Sequence, residues 1–207
     1  MKPYSKIQYI SQGLTLDDQY NNIRMALDKG VNWIQLRWKE GNLVNIEHLG
    51  WLIKELCKEY QAKLIINDHI HIADLLNADG VHLGLQDDAI AHARILLGKD
   101  KIIGATANTL QDIQLHIQNE CDYIGLGPYR YTENKKNLSP ILGLSGYLSI
   151  LAKLTQEANC PPIYAIGGIQ QEDIEELFNI GVYGIAASNF IHQLKYTDIQ
   201  EFNVQYG

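Results

Sequence analysis

Eight short apolar runs, each followed by a stretch with the spacing of an amphipathic helix, leave this chain few folds to choose from. The runs cover residues 7–10, 33–36, 63–66, 80–83, 101–104, 123–126, 162–166 and 183–187. Each has the length of a strand buried on both faces, and several are rich in isoleucine. Between them, Ile46, Leu49, Leu52, Ile53 and Leu56 share one face at three- and four-residue spacing, and Ile174, Leu177 and Phe178 repeat the pattern before Gly181. Thr109 with Asp112 reads as a helix start, and Asp28-Lys29-Gly30 as a helix end. Strands alternating with helices argue for a parallel sheet covered by helices, and eight such units argue for closure into a (β/α)8 barrel, a TIM barrel. The 207 residues suit one domain spanning 1–207. An open doubly wound sheet is the alternative, but Ser11-Gln12-Gly13 follows the first run where a Gly-rich dinucleotide turn would be needed.

Composition narrows the function. A net charge of −7 argues against a broad nucleic-acid surface, while leaving room for an anionic substrate in a locally basic site. The three cysteines, Cys57, Cys121 and Cys160, form no CxxC pair and read as reduced thiols. Neither a signal-peptide pattern nor a run of about 18 apolar residues is evident, so the expectation is a cytoplasmic protein without a membrane span.

In a barrel of this kind the chemistry sits at the C-terminal ends of the strands. There the sequence clusters polar residues. Gln35, Arg37 and Lys39 alternate, which on an extended segment turns two cations and an amide to one side, a set suited to a diphosphate or to plain solvation. Asn67-Asp68 ends the third unit, and Asp87-Asp88 follows the fourth. These carboxylates either share a hard cation or cap helices, Asp88 being the expected cap before a helix at Ala89. Thr106 follows the fifth run in a small-residue segment that offers a phosphate contact or a turn. The sixth loop is long, reaching Gly143, and carries Thr132, Asn134 and Lys135. Gly167-Gly168 and Ser188-Asn189 follow the last two runs, where barrels commonly bind phosphate on backbone amides. His69 and His71 are expected to open a helix rather than bind metal, and His82 to be a core histidine. Asn137-Leu138-Ser139 matches a glycosylation acceptor in a chain with no other sign of secretion.

The order and spacing of Gln35-Leu36-Arg37-Trp38-Lys39, Asn67-Asp68, Gly80-Val81-His82-Leu83-Gly84 with Asp87, Asp122-Tyr123-Ile124-Gly125-Leu126-Gly127-Pro128 and Ile166-Gly167-Gly168-Ile169 resemble the thiamine phosphate synthases along nearly the whole chain. That resemblance implies a transferase that joins a pyrimidine diphosphate to a thiazole phosphate and releases pyrophosphate. It implies that Gln35, Arg37, Lys39 and Asn67 hold the diphosphate substrate, Thr106 contacts it in place of a usual serine, and Asp68 and Asp87 hold Mg²⁺. Thr132, Asn134 and Lys135 would belong to a loop closing over both substrates, with Arg37, Lys39 and Lys135 as the catalytic cations. Gly168, Ser188 and Asn189 would take the thiazole phosphate, and the assembly would be a homodimer. Asn134 departs from a usual threonine, Asn108 from a frequent histidine, and Leu85 from a common glutamine. A related thiazole tautomerase uses a histidine at the position of Asn108 and lacks the paired carboxylates. A non-catalytic phosphate-binding homologue is the remaining alternative.

Overall fold

The computed structural model describes residues 4–132, 140–154 and 159–206. Its strands are β1 (Ile7–Ile10), β2 (Trp33–Leu36), β3 (Lys63–Asn67), β4 (Gly80–Leu83), β5 (Ile102–Ala107), β6 (Tyr123–Leu126), β7 (Ile163–Ile166) and β8 (Gly184–Ala187). All neighbours pair in parallel, and β8 returns to β1, so the sheet closes into the expected barrel. The helices α1 (Leu16–Asp28), α2 (Leu43–Glu59), α3 (Ile70–Leu75), α4 (Ile90–Leu97), α5 (Leu110–Gln118), α6 (Gly143–Leu154), α7 (Ile174–Asn179), α8 (Asn189–Gln193) and α9 (Tyr196–Tyr206) lie between and after the strands.

Local chemistry sets the helix ends. Thr15 and Thr109 each accept from the third helical amide, and Asp18 and Asp112 reach back to the cap amides, so α1 and α5 start with reciprocal capping boxes. Four expectations need correction, the first being Asn67, which is the last residue of β3 and not the residue after it. Asp88 does not cap α4: Ala89 stands at the cap, and the Asp88 carboxylate lies 3.4 Å from His92 Nδ1 instead. Leu52 is 39% exposed, and the buried stripe of α2 is completed by Gly50 and Cys57. Thr106 is not beyond β5 but inside it, because pairing with β6 continues through Ala107.

Two apolar layers result. Outward strand residues such as Ile34, Ile66 and Ile103 pack against the helices. Inside the barrel a separate cluster gathers Ile10, Trp33, Ile65, Ile102, Tyr123, Tyr164 and Ala186. Trp33 and Tyr123 open their strands, so this aromatic cluster fills the N-terminal end; Tyr4 stacks on Trp33 at 5.3 Å between ring centroids. The rings fit because small residues face them: a Cβ on Gly104 would fall 2.2 Å from the Tyr123 ring. Full burial of these rings contributes about 2–3 kcal/mol each.

Candidate active site

Above the aromatic floor the interior becomes polar. Gln8 Nε2 donates to the Tyr123 hydroxyl at 3.1 Å, and Gln35 Nε2 lies 3.5 Å from Gln8 Oε1. On the other side, His82 Nδ1 meets the Tyr123 hydroxyl and His82 Nε2 meets Thr106 Oγ1, both at 3.0 Å. If Tyr123 accepts from Gln8 and donates to Nδ1, His82 carries its proton on Nε2 and donates to Thr106. The Thr106 hydroxyl hydrogen is then left for another acceptor. Burial pushes the Tyr123 phenol far above its ordinary range, so it stays neutral. His82 is buried as expected, but as a link between two site residues rather than as apolar filling.

At the mouth, the cations and carboxylates meet. Arg37 is largely sequestered; burial lowers its pKa while Asp68 and Glu40 oppose the shift, and a guanidinium remains charged regardless. Its backbone is pinned by Ser11, whose Oγ accepts from the Arg37 amide at 2.8 Å, and the Trp38 indole donates to the Leu14 carbonyl at 3.2 Å. Lys39 Nζ forms an ion pair with Asp68 Oδ2. Asp68 has a left-handed backbone, φ 65°, held by its amide on the His82 carbonyl at 2.8 Å. A cavity of about 400 Å³ opens here, walled by Leu36, Trp38, Lys39, Asn67 and Asp68 among others.

Asp68 and Asp87 lie close enough to shift each other's acidity. Burial raises Asp68, and the neighbouring Asp87 raises it further, against the pull of Lys39. Burial also acts upward on Asp87, but its interaction with Asp68 and the Gly84 amide, which donates to it at 2.6 Å, bring it below its ordinary range. Two carboxylates this close repel each other when both are ionised, and a divalent cation would relieve that repulsion. Among the described residues no three His, Cys, Asp or Glu side chains converge, so such an ion would draw its remaining ligands from substrate oxygens and water. His69 stands at the cap before α3 and His71 lies in its first turn, where the sequence expected a helix to open.

The far side of the mouth is built by β6, β7 and β8. The chain beyond β6 passes a cis Gly127-Pro128 bond and continues alongside β7, with the amides of Tyr129 and Arg130 on the carbonyls of Ile166 and Gly167, each at 2.9 Å. Asn108 is buried, and its amide donates to the Gly127 carbonyl. Ser188 Oγ donates to the Ile10 carbonyl at 2.7 Å, fixing the start of α8 at Asn189. Thr132 ends the described part of the sixth loop; Asn134 and Lys135, with Asn137, lie outside the described residues. Reasoning from the sequence missed Gln8, Tyr123, Arg130 and Asp173. Gln8 had a signal, a polar residue alternating with Ile10 in an otherwise apolar run; Arg130 and Asp173 had none, being 43 residues apart.

Known proteins carry the same layout. The family model described as thiamine monophosphate synthase matches residues 9–191. A thiamine-phosphate synthase of Flavobacterium johnsoniae is 54% identical over 188 residues, 91% of this chain and 89% of the relative, and one of Flavobacterium psychrophilum is 50% identical over 92% of both. The solved thiamine phosphate pyrophosphorylase of Pyrococcus furiosus superposes with a TM-score of 0.80 at 26% identity, covering 97% of this chain and 96% of its own. With matches of this extent behind the barrel and its polar mouth, the chain belongs to the thiamine monophosphate synthase family.

Proposed function

We propose that this chain is a one-domain thiamine-phosphate synthase that condenses 4-amino-5-hydroxymethyl-2-methylpyrimidine diphosphate with 4-methyl-5-(2-hydroxyethyl)thiazole phosphate, giving thiamine phosphate and pyrophosphate. The observation that carries this reading is the mouth itself: Arg37, Lys39 and the Asp68–Asp87 pair converge beside a cavity, above a closed interior. The Thr106 hydroxyl lies beside an imidazole, but there His82 donates rather than serving as a base. The set instead suits departure of an anionic leaving group, where catalysis consists of stabilising developing charge.

Arg37 and Lys39 bind the diphosphate and take up negative charge as the carbon–oxygen bond of the pyrimidine methylene breaks. Lys135 would add a third cation from the sixth loop. Gln35 and Asn67 orient the pyrimidine diphosphate, and Thr106 donates its hydroxyl hydrogen to it, as the bond from His82 favours. Mg²⁺, held by Asp68 and Asp87, would neutralise diphosphate charge when bound. The amides at Gly168, with Ser188 and Asn189, hold the thiazole phosphate so that the ring nitrogen faces the electron-poor methylene carbon. Thr132 and Asn134 help to exclude water, which would otherwise capture that carbon.

Asn108 speaks against the tautomerase reading: its amide is spent on the Gly127 carbonyl, and an amide cannot shuttle a proton. Among the described residues no helix is long and apolar enough to cross a membrane. The family resemblance extends the proposal to a cytoplasmic homodimer, which sedimentation at micromolar concentration tests.

The deciding experiment mixes purified protein with both substrates, with and without Mg²⁺, and follows thiamine phosphate by oxidation to a fluorescent product. Mg²⁺-dependent product that is lost in Arg37→Ala supports the synthase. Folded protein that binds thiazole phosphate without turnover overturns it in favour of a non-catalytic binder.

A further inference from the structure

Arg130 is absent from every role assigned above, yet it bonds both carbonyls of the Gly167-Gly168 turn. Its backbone amide donates to the Gly167 carbonyl at 2.9 Å, and its Nη1 donates to the Gly168 carbonyl at 2.8 Å. The guanidinium also forks onto Asp173, Nη1 to Oδ2 at 2.7 Å and Nη2 to Oδ1 at 2.9 Å. Asp173 is 5% exposed, and its Oδ2 also accepts from the Gln170 amide at 2.8 Å, so the fork is anchored on a carboxylate that has no room to swing. The turn is pressed onto this strut: a Cβ on Gly168 would fall 2.7 Å from the Tyr131 carbonyl oxygen and 2.9 Å from Arg130 Cβ.

The consequence follows from peptide geometry. In a trans peptide the C=O and N–H point in opposite directions. Arg130 holds the carbonyls of the 167–168 and 168–169 peptides, so the amides of Gly168 and Ile169 are aimed away from it. On the other flank of β7 from this segment stands β8, followed by Ser188 and the start of α8 at Asn189. Among the described residues neither of these two amides donates a hydrogen bond. Gly167 and Gly168 have φ values of 91° and 67°, and two successive free amides in left-handed backbone form a cup for an anion.

We propose that Arg130, braced by Asp173, is a positioning residue that presets this amide cup for the phosphate of the thiazole substrate. The inference rests on the reading that the thiazole phosphate binds at Gly168. Arg130 acts through the backbone of the turn, so it sets affinity for the phosphorylated partner without acting on the diphosphate chemistry at Arg37 and Lys39.

The test compares wild type with Arg130→Met, Arg130→Lys and Asp173→Asn. Steady-state rates are measured against each substrate in turn, and calorimetry measures binding of thiazole phosphate, of its unphosphorylated alcohol and of inorganic phosphate. The expected result for Arg130→Met is a KM for thiazole phosphate raised about tenfold, the worth of one charge-assisted hydrogen bond. The KM for pyrimidine diphosphate and the affinity for the alcohol should not change. Lysine keeps the charge but not the fork, so Arg130→Lys should fall between wild type and Arg130→Met. Should Arg130→Met fail to fold, Asp173→Asn, which keeps the shape and weakens the brace, carries the same readout. Equal rises in both KM values, or unchanged phosphate affinity in folded variants, overturn the proposal. If wild type makes no thiamine phosphate but phosphate binding still weakens in Arg130→Met, the synthase reading fails and the cup stands.

Discussion

Removing a single oxygen, in Tyr123→Phe, tests the buried polar chain. The ring would stay, since its edge contacts with Trp33 and Tyr164, at 5.0 and 5.6 Å between centroids, do not involve the hydroxyl. What is lost is the junction: Gln8 Nε2 and His82 Nδ1 each lose a partner inside a region that Tyr123 leaves fully sealed. A buried polar group deprived of a bond costs about 1–3 kcal/mol, and Gln8 and His82 each keep a second partner, so we expect a loss of about 3 kcal/mol in total. For a chain of this length that corresponds to a drop in Tm of roughly 6–12 °C. The control is Tyr164→Phe, whose hydroxyl makes one bond, 2.6 Å to the Ser5 carbonyl, and should cost about 1 kcal/mol. Urea denaturation of both variants beside wild type gives the comparison directly. Activity adds a second signature: with its orienting link gone, Thr106 should lose its preference to donate, and the KM for pyrimidine diphosphate should rise while that for thiazole phosphate holds. A Tyr123→Phe variant no less stable than Tyr164→Phe would refute the idea that the chain is a cooperative unit.

At the carboxylate pair, Asp87→Asn should lower Mg²⁺-supported kcat/KM by about 100-fold or more, the several kcal/mol that charge stabilisation supplies, and Mg²⁺ titration of activity reads this. Asp68 is pushed up to about 6, first by burial and then by Asp87. With the folded value above the unfolded one, the metal-free protein favours protonated Asp68, and ionising it costs stability as pH rises from about 4 through about 6. Metal-free protein should therefore gain stability on acidification across that window, while Mg²⁺ affinity falls below about pH 6; denaturation and calorimetry at pH 5 and 7 check both signs. Gly104→Ala drives a methyl group into the Tyr123 ring, so a loss of about 1–3 kcal/mol is expected in a melt, with Gly98→Ala, where a Cβ meets nothing within 4 Å but φ is 85°, costing less.

The periodic features of the sequence carried most of the architecture. Strands β1, β2, β4 and β6 begin and end where their runs do, because each is buried along its whole length, its single polar residues included. The errors fall where polarity and strand overlap. Thr106 and Asn67 were read as loop residues, but in a barrel the upper strand ends face inward to ligand and can be polar while still pairing. Leu52 was misassigned because a helix stripe read at fixed spacing cannot tell its edge from its centre. Candidate site residues could be chosen from the strand ends, since the fold sends eight such ends to one mouth. The contacts joining them were not: Tyr123 to Gln8 spans 115 residues and Arg130 to Asp173 spans 43, distances over which local pattern holds no information.

The aromatic cluster at the base of the barrel has a bearing on traffic. Trp33, Tyr123 and Tyr164 are fully buried and packed edge to face, with Tyr4 and Tyr183 beneath them. Among the described residues the vessel thus has a stopper at one end and its opening at the other. Both substrates must come in, and both products go out, through the same opening. Whatever settles deepest, against Gln35 and Thr106, has to arrive before the second substrate covers it and depart after that cover has lifted.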